Sequence, residues 1–218
     1  AAAIAGGYGI ELDVQLSSDG QAMVFHDYAL DRLTDEVGPI AQRSAAELGQ
    51  IVLKGGTDTI PTLSQILQQV DGAVPLLIEL KDQDGALGQS VGQLEKATAR
   101  AVADYVGDIA VMSFNPHSVA LMAQIAPHIA RGLTTCNFPS EDWPTIPEKT
   151  RARLREIPDY TNTGACFISH QAGDLDNPRV AALKAQGAAV FCWTIRSAQA
   201  EVKARRVADN VTFEGYAA

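Results

Sequence analysis

Short apolar runs alternate along this chain with stretches whose apolar residues recur every three or four positions. The runs at 9–14, 75–80, 109–114, 129–134, 165–169, 189–194 and 210–213 predict strands. The stretches at 61–70, 90–106, 116–126, 148–156, 178–186 and 198–206 predict helices. In the first of these, Leu63, Ile66, Leu67 and Val70 share one helical face behind Pro61-Thr62, and Pro116 opens another. A shorter extended run at 21–25 follows the first strand through Ser18-Asp19-Gly20, a turn signal. Residues 27–59 have no regular period and predict an insertion. It carries one helix near 44–50, where Ser44-Ala45-Ala46-Glu47 matches a capping box. The opening Ala1–Ala5 runs into Gly6-Gly7, the signature of a helix end and its cap.

Regular strand–helix alternation implies parallel strands joined by helical crossovers. Seven principal strands exceed the five or six of most doubly wound sheets and fall one short of a TIM (β/α)8 barrel. The expectation is a TIM barrel over residues 1–218, as a single domain with a small insertion at 27–59 after its second strand. Its first strand and the start of its first helix would precede residue 1. A barrel of about 250 residues and the absence of an initiator Met agree with that. No internal repeat or linker marks a second domain.

Composition narrows the partners. Of 218 residues, 46% are hydrophobic, enough for a sizeable core. The formal charge of −9 opposes binding to nucleic acid or to an anionic membrane. No apolar run approaches the 18 residues of a membrane span, so stable membrane insertion is not expected. The three cysteines, Cys136, Cys166 and Cys192, are widely spaced and read as small buried hydrophobes. Unpaired cysteines favour a cytoplasmic location and leave a periplasmic one open. Gly6-Gly7-Tyr8-Gly9 lacks dinucleotide-binding spacing, and no P-loop is present.

Candidate chemistry gathers at strand ends. Glu11 and Asp13 lie two apart on the first strand and so share a face, near the end where barrel enzymes keep their sites. Glu79 and Lys81 have the same relation on the next parallel strand. Carboxylates brought together repel unless a cation or proton lies between them. An all-oxygen set from Glu11, Asp13 and Glu79 suits Mg²⁺ or Ca²⁺ better than zinc. Lys81 beside it could hold an anion such as phosphate, or simply pair with Glu79. His26, followed by Asp27, is a candidate general acid or base. His170, just after an apolar run, is a second candidate for the pocket lining, whereas His117 and His128 read as surface residues. Trp193 ends a strand and could wall a small organic substrate or merely fill the barrel.

The ordered set Gly9-Ile10-Glu11-Leu12-Asp13-Val14, Asp19-Gly20, Val24-Phe25-His26-Asp27, Leu30, Arg32-Leu33-Thr34, Ile60-Pro61-Thr62-Leu63, Ile78-Glu79-Leu80-Lys81 and Trp193-Thr194 resembles the glycerophosphodiester phosphodiesterase family. The resemblance spans most of the chain and is strongest over 9–81. It implies a TIM barrel and metal-dependent hydrolysis of glycerophosphodiesters to sn-glycerol 3-phosphate and an alcohol. It also implies one divalent cation, Mg²⁺ or Ca²⁺, on Glu11, Asp13 and Glu79. His26 would be a catalytic histidine, Lys81 a site lysine and Trp193 a substrate-wall aromatic. The family's other histidine, in a His-Arg pair, and its Pro-Glu-Asn motif would both precede residue 1. Two other readings stay open: a related barrel of phospholipase D or lyase type acting on lysophospholipids, and a non-catalytic phosphodiester-binding barrel.

Overall fold

The structure, a computed structural model, describes residues 1–218. Its strands are β1 (Ile10–Leu16), β2 (Ala22–Val24), β3 (Leu76–Leu80), β4 (Ile109–Ser113), β5 (Ala130–Thr135), β6 (Phe167–Gln171), β7 (Ala189–Ile195) and β8 (Asn210–Phe213). All eight join one curled sheet in the order β2-β1-β3-β4-β5-β6-β7-β8. Every pair from β1–β3 to β7–β8 is parallel, and β2 alone runs antiparallel, against β1. The helices are α1 (Ala2–Gly6), α2 (Ala45–Leu48), α3 (Leu63–Val70), α4 (Gln93–Val102), α5 (Pro116–Ile125), α6 (Glu148–Arg155), α7 (Pro178–Ala185) and α8 (Ala198–Ala204). The architecture is thus of the TIM-barrel type, as expected. The expected first barrel strand falls outside the described residues, and β1 and β8 are not paired with each other.

Local chemistry explains the element ends. Thr62 and Gln65 exchange side-chain and backbone hydrogen bonds at the start of α3, and Ser44 and Glu47 do the same at α2. Asn115 and Asn177 cap α5 and α7, each followed by Pro at the first helical position. The helix expected at 90–106 is shorter, because Gly92 at φ 135° cannot join it. Glu95 turns back to accept the Gly92 N–H at 2.6 Å.

Strand parity divides the apolar residues. Leu12, Val14, Ile78, Leu80 and Val111 point outward against Leu63, Leu67, Leu94 and Met122. Leu133, Ile168, Val190 and Cys192 pack on Val180, Leu183 and Ala204 in the other half. Each such buried Val, Leu, Ile or Met side chain contributes about 1.5–3 kcal/mol relative to exposure. The insertion has its own small core of Met23, Phe25, Leu30, Ile40, Leu48 and Ile60. Inside the sheet, Phe167 stacks on Phe191 at 4.9 Å. Gly132 on β5 makes room for it, since a Cβ there would lie 2.2 Å from the Phe167 ring. Of the cysteines, Cys136 and Cys192 are buried as expected, but Cys166 is exposed, because it precedes β6 rather than lying within it. No helix is long and apolar enough to cross a membrane.

Candidate active site

A cavity occupies the concave side of the sheet. Glu11 and Asp13 enter it from β1, and Glu79 and Lys81 from the end of β3. Asp13 and Glu79 are direct partners in the parallel ladder, so the two strands deliver their carboxylates side by side. One oxygen from each of Glu11, Asp13 and Glu79 lies within 4.8 Å of the others. Lys81 Nζ donates to Asp13 at 2.8 Å and to Glu79 at 2.7 Å. Thr134 Oγ1 on β5 approaches the second Glu79 oxygen at 3.4 Å.

The electrostatics follow from burial and crowding. Burial, then the neighbouring Asp13 and Glu79 charges, push the Glu11 carboxyl up to about 8. Burial also raises Glu79, against the opposing pull of Lys81. For Lys81 burial opposes the charge, but the Glu79 and Asp13 carboxylates outweigh it and hold the ammonium above its usual range. One lysine is bonded to two of the three carboxylates, and its single positive charge leaves the trio with an excess of negative charge that Glu11 feels. Three crowded oxygen donors of this kind fit a hard divalent cation.

His26 reaches the rim through the backbone. The Phe25 N–H donates to the Asp13 carbonyl at 3.0 Å, and Gln15 Nε2 donates to the His26 carbonyl at 3.2 Å. Gln15 is held in turn by Gln83 at 3.0 Å. The His26 ring keeps 57% of its surface exposed, with Nδ1 2.6 Å from Asp27 Oδ1. Arg32 forks onto both Asp27 oxygens at 2.6 and 2.7 Å. Its hydrogen bonds hold the Asp27 carboxyl below the usual range. An ionised Asp27 favours the proton on Nδ1 and leaves Nε2 as the ring nitrogen without a protein partner, on a residue that lines the cavity. Asp27 and Arg32 lay within the resembling motif, but their fork came into view only with the fold.

Trp193 lines the cavity as expected, anchored by its indole N–H to the Ser169 carbonyl at 3.0 Å. Phe114 meets it edge-on at 5.5 Å. The expectation that His170 lines the pocket is corrected. Ser169 and Gln171 take the inward parity of β6, so His170 faces the helix layer and is fully buried. There it pairs with Thr135 Oγ1 at 2.7 Å and Asp174 Oδ2 at 3.0 Å. Phe114 and Trp143, on the loops after β4 and β5, also line the cavity and had no readable signal in the sequence.

A barrel-type sheet with an acidic trio, a lysine and a carboxylate-backed histidine at the strand ends defines a candidate metal-assisted enzyme site. The chain matches the glycerophosphoryl diester phosphodiesterase family over residues 1–211 and belongs to it. It is 26% identical over 204 residues to the Bacillus subtilis protein YhdW, covering 89% of this chain and 76% of that one. It is 30% identical over 154 residues to the glycerophosphodiester phosphodiesterase of Bacillus altitudinis, covering 66% and 62% of the two chains. Among solved structures, an Oleispira antarctica phosphodiesterase in complex with its product sn-glycerol-3-phosphate superposes with a TM-score of 0.75. That match is 24% identical and covers 93% of this chain and 79% of that one. The Thermotoga maritima glycerophosphodiester phosphodiesterase gives a TM-score of 0.70 at 20% identity, covering 97% and 84%.

Proposed function

We propose that this chain carries the metal-dependent hydrolysis of glycerophosphodiesters to sn-glycerol 3-phosphate and an alcohol. The observation that carries the reading is the convergence of Glu11, Asp13 and Glu79 within 4.8 Å, with Lys81 bonded to two of them. Family membership and the product held by the Oleispira relative support the same reaction.

Glu11, Asp13 and Glu79 would hold Mg²⁺ or Ca²⁺. The bound cation would supply Lewis acidity toward the phosphoryl oxygens and a template for the glycerol hydroxyl. Lys81 adds positive charge beside the same oxygens as they gain charge in the transition state. Asp27 and Arg32 fix the His26 ring through Nδ1–H; in the imidazolium form Nε2 also carries a proton, gives it to the departing alkoxide as the phosphorus–oxygen bond breaks, and leaves the neutral Nδ1–H imidazole. The incoming oxygen belongs to water or to the neighbouring glycerol hydroxyl. Its proton passes to a second base, which the family resemblance assigns to the histidine of a His-Arg pair. Trp193 walls the substrate.

A coupled assay for sn-glycerol 3-phosphate tests the proposal, with glycerophosphocholine and glycerophosphoethanolamine as substrates, on the full-length protein. Release that EDTA abolishes and added Mg²⁺ or Ca²⁺ restores is the expected result. No release by folded, cation-supplied protein would overturn it.

A further inference from the structure

We infer that the wall formed by Phe114, Trp143 and Trp193, with Asp142 beside it, is a subsite for a cationic alcohol, of the trimethylammonium kind. The inference rests on the phosphodiesterase reading, whose leaving alcohol it specifies.

Three observations lead to it. First, the aromatic rings form one contiguous surface rather than separate core fillers. Phe114 lies 4.9 Å from Trp143 and 5.5 Å from Trp193, and Phe138 backs Trp143 at 5.1 Å. The three front rings stay partly exposed and line the cavity, while Phe138 is buried behind them. Second, the position suits a leaving group. Met112 is the ladder partner of Glu79, and Phe114 lies two residues further along β4's path on the same side. Two residues of strand advance about 6.6 Å, a step of the order that a two-carbon arm ending in nitrogen can bridge. Third, the charge is of one sign. The loops after β3, β4 and β5 bring Asp82 and Asp142 to the cavity, and Lys81, their lone cation there, is already bonded to Asp13 and Glu79. The exposed arginines of the cavity, Arg32, Arg196 and Arg205, are paired with Asp27, Glu214 and Glu201.

Asp82 is buried and accepts from Asn115 Nδ2 and the Leu87 N–H, but an electron-rich aromatic face with the exposed Asp142 nearby attracts a quaternary ammonium and gives nothing comparable to a neutral alcohol. Trp, the strongest such face, supplies two of the three rings.

Equilibrium binding and turnover together test this, with glycerophosphocholine and glycerophosphoglycerol as paired probes of the full-length protein. The wild type should prefer the choline compound. Trp143→Leu should reduce the choline-to-glycerol preference about tenfold, and Trp143→Phe should retain most of it. Asp142 is exposed, so Asp142→Asn cannot disturb the core; it should reduce the preference about threefold and make it less sensitive to salt. Equal affinity of the wild type for both probes would overturn the subsite, as would a preference that all three variants preserve. Binding reports even if neither compound is cleaved: a choline preference without turnover sinks the hydrolytic reading and keeps the subsite.

Discussion

Glu11 shows how one side chain can be held against its own charge. It sits within 4.8 Å of two other carboxylates, and Lys81 spends its hydrogen bonds on Asp13 and Glu79 instead. Glu11→Gln keeps the shape and removes one negative ligand. The expected outcome is a folded protein with unchanged circular dichroism and at least about 100-fold less cation-dependent turnover; near-normal turnover would remove Glu11 from the ligand set. His26→Ala leaves the acidic trio intact, so cation binding measured by calorimetry should persist. Its rate should fall about 10²–10⁴-fold, the usual contribution of one general acid, and less so with substrates whose alcohol leaves readily. The trio was legible in the sequence because residues two apart on a strand must share a face, and the motif order tied the two strands together. His170 was misread for the complementary reason. Phe167 and Ile168 are both large and apolar, so hydrophobicity alone could not tell which parity of β6 points inward.

Elements, not residues, give His170 its importance. Its ring ties Thr135 on β5 to Asp174, in the 3-10 turn that follows β6, and Asn177 Nδ2 also donates to the same Asp174 oxygen at 3.0 Å. Burial lowers the pKa of this imidazole below its ordinary value, although Asp174 pulls the other way. In the unfolded chain it titrates near its model-peptide value of about 6.5. Between the two pKa values the unfolded state binds the extra proton. Stability is therefore complete above about pH 6.5 and is lost as the pH falls toward the folded value. Chemical denaturation of wild type and His170→Gln from pH 7.5 to 5 should show a steeper loss in the wild type; parallel curves would mean that His170 does not titrate on unfolding. At this scale the sequence was informative about helices and strands, whose periods and caps are local. It was silent about the loops after β4 and β5. Phe114, Phe138 and Trp143 meet only because two separate crossovers return to one barrel end, a juxtaposition that no spacing encodes.

A divalent cation on the trio, as proposed, would couple these parts across the whole molecule. Without it, folding forces Glu11 to hold a proton up to about pH 8, far above its unfolded value. The folded state then binds more protons than the unfolded one between about pH 4.5 and 8, so this group's contribution to stability declines as the pH rises through that window. A divalent cation held by the ionised trio would reverse the slope, because it must first displace that proton. At about 100 times its dissociation constant a ligand of the folded state adds roughly 2.7 kcal/mol. For a chain of this length that corresponds to about 5–10 °C in Tm. Thermal unfolding with and without Mg²⁺ or Ca²⁺ should therefore diverge with rising pH: little separation near pH 5, most of the shift by pH 8, and little at any pH in Glu11→Gln. A cation-induced shift of equal size at pH 5 and pH 8 would assign the binding to carboxylates other than this buried trio, and with it would go the electrostatic basis for cation-assisted cleavage here.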